Sequence, residues 1–425
     1  MERRAFLATT GATLAVLHPG AGDRARAAAA RAAGRTPEQV ASDEDFWFQV
    51  RHAFTIDRNS INLNSGSVSP APRVVQRAME DYLRVMNMSP ALYVDEILIP
   101  QRELVRSRLA DTFGCSAEEI AITRTTTEAL ETVQLGLDLK PGDEVLTTTQ
   151  DYPSMLATWR QRERRDGIVL CTVPFPVPPP GLDDLYHRIE QAITPRTRVI
   201  MMCHVTYTTG QIFPVGRICR MARERGIETL VDGAHGFAHF PFRRDDLECD
   251  YYGTSLHKWL TAPVGTGFLY VRREKIPKLW PLMGSPADLE DDIRKLEWIG
   301  THPVANRNAV SEALAFYESL GAERKAARLR FLRQRWVDRV ADLPGVRILT
   351  PSDPDQACGL GAMSIDGVGA DALTDYLLEK HQIHVRPRFV PDEFSCIRVT
   401  PNVFTTLGEI DAFSEAIETA VGELA

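Results

Sequence analysis

The sequence predicts an α/β protein: a doubly wound, mainly parallel sheet covered by helices, followed by a smaller C-terminal α+β domain. Three observations carry this expectation. Between residues 119 and 271, short apolar runs alternate with amphipathic stretches of helix length, as they do where crossover helices cover both faces of a sheet. The runs are continuously apolar rather than alternating; the one at 199–204 begins Val-Ile-Met-Met-Cys. Beyond residue 346 come short strand-like runs and two helical stretches, the signature of a separate small unit.

The elements follow in order. Residues 43–50 read as a short helix, and 61–67 as a strand running into a turn. Pro70 and Pro72 open a helix through 85, and 100–113 repeats Leu104, Val105, Leu109 and Phe113 at helical spacing. Strands are expected at 120–122, 144–147, 168–173, 199–204, 228–232, 251–253 and 267–271. Helices are expected at 125–137, 152–165, 182–193 and 215–226. Residues 306–343 are charge-rich and helical, a connector leading out of the sheet. The last part holds strands at 346–349, 361–365 and 396–400 and helices at 370–380 and 408–421. The expected divisions are 1–35, an arm at 36–60, a large domain at 61–305, and the connecting helix with the small C-terminal domain at 306–425.

Composition bounds the function. A chain of 425 residues suggests two domains sharing an extensive interface. Apolar content of 44% and charged content of 25% are those of an ordinary globular protein. The net charge of −8 argues against nucleic acid as the main partner. No apolar run reaches the length of a transmembrane helix. The seven cysteines form no C-x-x-C pair and, being odd in number, no complete disulfide framework; packed core positions are expected. No metal site is expected. The leader, 1–35, pairs Arg3-Arg4 with Phe6-Leu7, a weakly apolar stretch and the small residues Ala27 to Ala30. It reads as a twin-arginine signal peptide, so the export machinery is a partner and the location periplasmic or secreted. A disordered tail or a transit peptide shares this composition, and a cytoplasmic location goes with the former.

Three short segments carry chemistry. Thr125-Thr126-Thr127-Glu128 follows a strand and opens a helix, where backbone N–H groups and hydroxyls can hold an anion; a plain N-cap reads the same way. Asp232 ends an apolar strand at the edge where ligands of parallel sheets bind, although a strand-terminal Asp is often a turn former. Lys258, in Ser255-Leu256-His257-Lys258-Trp259, follows two side chains able to bind phosphate. A desolvated lysine forms a Schiff base, and an upstream carboxylate can hold a pyridinium nitrogen, which together are what pyridoxal 5'-phosphate (PLP) asks of a protein.

On Asp232-x-x-His235 and Ser255-x-His257-Lys258 at this spacing, the chain resembles the class V aminotransferase family of PLP fold type I, within it the isopenicillin N epimerase-like branch. The resemblance covers residue 61 to the C-terminus. It implies that Lys258 is the Schiff-base lysine and proton shuttle and that Asp232 pairs with the ring nitrogen. His235 would contact the phenolic oxygen, where many relatives use Gln. Thr126, Thr127, Ser255 and His257 would hold the phosphate, and Tyr152 would stack on the cofactor. Gly300-Thr301 would reach the neighbouring subunit's phosphate, which implies a homodimer. Arg398 would clamp the substrate α-carboxylate, with Asn64 beside the substrate.

The chain departs from the family pattern in two places. His204 to Gly210 lacks the asparagine that many relatives place beside the cofactor oxygen, and Thr206 would substitute for it. The cysteine desulfurase branch needs a nucleophilic cysteine on the loop before the arginine; residues 386–391 have none, and Cys396 is expected to be packed in a strand. The leading expectation is therefore a PLP enzyme acting at the α-amino group of an amino acid or modified peptide, in aminotransferase or epimerase-like form. A C–S lyase is the runner-up, and a non-catalytic binding protein on the same scaffold the remaining class. Arg386 and Arg388 hint at a second anionic group on the substrate, or are surface or dimer contacts.

Overall fold

The structure is a computed structural model and describes residues 27, 29, 30 and 32–424. Most of the expected signal peptide, residues 1–26 with 28 and 31, lies outside the described residues. Helices Pro37–Ala41 and Glu44–Arg51, packed through Phe46, Trp47 and Val50 against Phe316 and Val403, precede the first strand, β1 (Ile61–Asn62). The strands β2 (Ile120–Thr123), β3 (Glu144–Thr148), β4 (Val169–Val173), β5 (Thr197–Cys203), β6 (Glu228–Asp232), β7 (Tyr251–Ser255) and β8 (Gly267–Val271) form one sheet in the order β2-β8-β7-β6-β5-β3-β4. The run from β7 to β4 is parallel throughout, and β8 is antiparallel to both of its neighbours.

Apart from the edge strand β4, whose residues are half-buried or exposed, both faces of this sheet are dry, which is why its strands read as apolar runs. Successive side chains point to opposite faces. Val199, Met201, Leu230 and Tyr251 join one buried cluster with Val133, Met155 and Trp159. Ile200, Met202, Val231 and Tyr252 join another with Phe113, Ile218 and Leu314. Each fully buried side chain of this size contributes about 1.5–3 kcal/mol.

The small domain is built on a four-stranded antiparallel sheet. Its strands are β9 (Val346–Ile348), β10 (Gly361–Ile365), β12 (Arg386–Val390) and β13 (Phe394–Val399), in the order β12-β13-β10-β9. The short β11 (Ile383–His384) pairs with β1 in parallel, tying this domain to residues that lie far upstream. Helices Ala370–His381 and Leu407–Leu424 share the domain's core with Trp336 and Val340 of the helix Ala322–Val340.

Two differences from the expected organisation matter. The connector at 306–343 is three helices, Ala305–Asn308, Val310–Leu320 and Ala322–Val340, the last two parted at Gly321, whose φ of 82° breaks the helix. Ala309, Val310, Ala313 and Leu314 pack into the large-domain core, so the first part of the connector belongs with the sheet. The segment expected as a loop before Arg398 is the edge strand β12, in a tight hairpin with β13. Its Arg-Pro-Arg-Phe-Val composition hides it, since proline is tolerated in a sheet only where no ladder donor is needed.

The cysteines are all free, and Cys203, Cys219, Cys249, Cys358 and Cys396 are buried. No described helix is long and apolar enough to cross a membrane.

Candidate active site

A cavity of about 210 Å³ opens at the carboxyl ends of β5, β6 and β7, beside the start of the helix Thr126–Gly136. This is where a parallel sheet binds ligands, because the strand ends and helix N-termini converge there. At one end Thr125 caps the helix, its side chain accepting from Glu128 N–H at 3.1 Å. The Thr126 N–H donates to Ser255 Oγ at 2.8 Å, and the two hydroxyls are 2.7 Å apart. Thr127 lines the same wall. His257 presents a buried Nδ1 with no partner. Burial, with Lys258 as a lesser cause, pushes its imidazole down to about 4, so the ring is neutral at pH 7. Hydroxyls, a helix N-terminus and an orphaned imidazole nitrogen together suit a phosphate.

In the middle sit Asp232 and Lys258. Asp232 accepts from Ala234 N–H at 2.9 Å. Burial raises its carboxyl to about 6, against the pull of the Ala234 N–H and of Lys258. Burial lowers Lys258 to about 8; Asp232 opposes this, while Arg398 and Arg388 add to it. The lysine thus supplies a neutral amine at mildly alkaline pH, as a carbonyl-binding or proton-accepting amine must. Gly233 is required here: a Cβ on it would lie 1.9 Å from the Tyr252 ring.

His235 is held in one tautomer. Trp259 Nε1–H can only donate, and it points at His235 Nδ1 from 3.3 Å. The proton of His235 therefore sits on Nε2, and burial keeps the ring neutral. His239 stacks on Trp259 at 3.6 Å and 3°. It accepts from Gly359 N–H at Nε2 and donates from Nδ1 to His235 O. The small domain thereby braces the indole that sets His235.

At the far end Arg398, 1% exposed, is fixed by three bonds. Its Nη1 donates to Tyr207 O at 3.0 Å, and its Nη2 to Asn64 Oδ1 at 3.1 Å and Ser67 Oγ at 2.7 Å. Tyr152, 39% exposed, lines the cavity edge-on to Tyr207 at 5.3 Å between centroids.

The structure therefore brings Thr126, Thr127, Tyr152, Asp232, His235, Ser255, His257, Lys258 and Arg398 to one cavity. Asn64 acts one step behind, on Arg398. Thr206 does not line the cavity. It is fully buried in a turn, its Oγ1 bonded to Thr209 Oγ1 at 2.9 Å and accepting from Gln211 N–H at 3.0 Å. Thr301 is exposed and lies outside its own chain's cavity. Besides Arg388, which the sequence singled out as a hint of a second anionic group, the cavity is lined by Ser67, Cys203 and Tyr207, which sequence reasoning missed. Of these only Cys203 carries a usable signal, as the last residue of an interior parallel strand.

The aminotransferase class-V family model matches residues 61–387. The chain belongs to the class V aminotransferase family. Isopenicillin N epimerase of Streptomyces clavuligerus is 30% identical over 394 residues, 89% of this chain and 99% of that protein. The same enzyme of Amycolatopsis lactamdurans is 31% identical, covering 88% and 98%. A cysteine desulfurase of Haloferax volcanii is 28% identical, covering 75% and 78%. Among solved structures, a cysteine desulfurase from Thermococcus onnurineus superposes with a TM-score of 0.78 at 22% identity, covering 90% of this chain and 98% of that one. The cystine C–S lyase C-DES gives 0.76 at 24%, covering 85% and 98%. The fold is PLP-dependent fold type I, and the cofactor of this class V protein is PLP. The cavity fits it: an anion cradle, a buried carboxylate and a lysine of lowered pKa stand in one space.

Proposed function

We propose that this class V enzyme moves a proton at the α-carbon of an amino acid or amino-terminal peptide, in epimerase-like or aminotransferase form. One observation carries the reading: a lysine lowered to about 8 faces the same cavity as Asp232 and a rigidly held Arg398. PLP, when bound, supplies an electron-accepting ring that stabilises negative charge at the α-carbon. Asp232 would hold the proton of the ring nitrogen, and His235, with its proton on Nε2, would donate to the ring's phenolic oxygen. Arg398 receives the α-carboxylate and so orients the α-carbon. Lys258 Nζ would accept the α-proton and return it.

The alternative is a C–S lyase, and its route through an enzyme persulfide asks for an accessible thiolate of low pKa. Cys203 lines the cavity, but burial first and Asp151 second drive its thiol far up, and its Sγ donates to Asp151 Oδ1 at 3.2 Å. Cys396 is buried in β13 and pushed up to about 12 by burial. Epimerase relatives spanning nearly the whole chain support the epimerase-like form.

The test is incubation of the PLP-loaded protein in D₂O with pools of L-amino acids and amino-terminal peptides. Deuterium at the α-carbon with D-isomers supports epimerisation, and keto acids support transamination. Release of sulfide or thiol, with keto acid and ammonia formed in step with it and no D-isomer, would overturn the reading in favour of a C–S lyase. A homodimer and twin-arginine export are further proposals, resting on Gly300-Thr301 and on the leader around Arg3-Arg4. Native mass and cell fractionation test them.

A further inference from the structure

The hairpin of β12 and β13 concentrates positive charge on one face. Arg386 lies opposite Arg398, and Arg388 opposite Cys396. Directly opposed and alternate residues share a face, so the three arginines stand together, an arrangement that costs stability unless something anionic joins them. Arg386 is exposed, whereas Arg388 and Arg398 both line the cavity.

The two lining arginines differ in their bonding. Arg398 is fully engaged by Tyr207, Asn64 and Ser67 and keeps one edge for a ligand. Arg388 makes no hydrogen bond or ion pair to any described residue; its guanidinium rests 5.3 Å from the Tyr207 ring centroid, and its buried Nε has no partner. The nearby acids are spent elsewhere. Asp151 takes bonds from Thr147, Thr148 and Cys203. Glu393, on the same hairpin, accepts from Gln150 at 3.2 Å, and Asp232 faces Ala234 and Lys258. A half-buried guanidinium without a counter-charge is unfavourable. Here burial weighs most on its ionised form; Tyr207 opposes it, and Arg386 adds a lesser cost. A bound anion would remove that cost.

We propose that Arg388 binds a second, distal carboxylate of the substrate, so that the site selects amino compounds carrying two carboxylates. Arg398 takes the α-carboxylate and Arg388 the distal one, with Tyr207 fixing the plane of the Arg388 fork. This rests on the proposed reading in which Arg398 holds the α-carboxylate.

The test uses the PLP-loaded protein and the change in its visible cofactor band as a binding signal. A series of ω-carboxylate amino acids, from aspartate through glutamate and α-aminoadipate to α-aminopimelate, is titrated against the matching ω-amides. At least one diacid is expected to bind about 10- to 100-fold more tightly than its amide, the range of a charge-assisted bond. Arg388→Gln is expected to erase that ratio, while Arg386→Gln, outside the cavity, keeps it. The proposal fails if no diacid is preferred at any length, or if the preference survives in Arg388→Gln. It also fails if Arg388→Gln weakens diacid and amide equally, which would mark a structural role. If no amino compound perturbs the band at all, the α-amino reading falls with it. A perturbed band without discrimination overturns only the second-carboxylate assignment.

Discussion

The cofactor end and the substrate end of the cavity are built in opposite ways. The cofactor end comes largely from one sheet edge: Asp232 ends β6, Ser255 ends β7, and His257 and Lys258 follow directly. Its geometry comes with the parallel sheet itself. The substrate end is assembled from three segments far apart in the chain, at Asn64 and Ser67, at Tyr207, and at the β12–β13 hairpin with Arg388 and Arg398. It exists only when the small domain docks. The first end is generic to the chemistry, and the second decides what enters. Removing cofactor-end groups should therefore abolish reaction for every substrate, whereas changes at the substrate end should act selectively.

The largest expected effect is at Lys258. Lys258→Ala should eliminate the visible Schiff-base band and lower turnover by about 10²–10⁴-fold or more, for all substrates alike. Spectra of the reconstituted variant, with kcat for several amino acids, check this; retained activity would overturn the role of the lysine.

Arg398→Gln should act next. With the guanidinium gone, Asn64 Oδ1 and Ser67 Oγ lose their donor along with the α-carboxylate clamp, and kcat/KM should fall about 10²-fold, mostly through KM. Decarboxylated amine analogues should be far less affected, and an equal loss for both would break the contrast between the two ends.

Acidity acts at the cofactor end. Lys258 must be neutral to attack a carbonyl, and burial lowers its pKa to about 8. The rate at which the cofactor-free protein takes up PLP should rise with pH, about tenfold per unit below the pKa, and level off above about 8. Stopped-flow absorbance across the range reads this directly. An inflection near the ordinary lysine value would mean that the pocket does not desolvate the amine.

The smallest effect is expected at Trp259→Phe. It removes the donor to His235 Nδ1 and keeps the apolar ring that stacks on His239. A loss of about 1 kcal/mol in stability and a few-fold in rate should accompany a mixed His235 tautomer. Nitrogen-15 spectra of labelled histidine, with His235→Gln for assignment, show the tautomer; an unchanged spectrum would mean that the indole does not set it.

Much of this was legible beforehand. The seven strands of the large sheet stand out because strands covered on both faces leave continuous apolar runs, and Asp232 to Lys258 could be read because a strand end and the next strand's end bring them together. Thr206 does not line the cavity because its hydroxyl is consumed by its own turn, with Thr209 and Gln211, a local bond that residue type does not reveal. β12 was invisible because a proline and two arginines disguise an edge strand. Arg388 hinted at an anion in the sequence, but only the β12–β13 register points it into the cavity.

The sequence alone determined the fold class, the cofactor and the lysine, because those depend on periodicity and on residues close along the chain. The tertiary structure decided which arginines meet in one space, which cysteines are inert and which nitrogen of His235 carries its proton. Those outcomes depend on burial and on contacts between segments up to more than three hundred residues apart, such as Asn64 with Arg398.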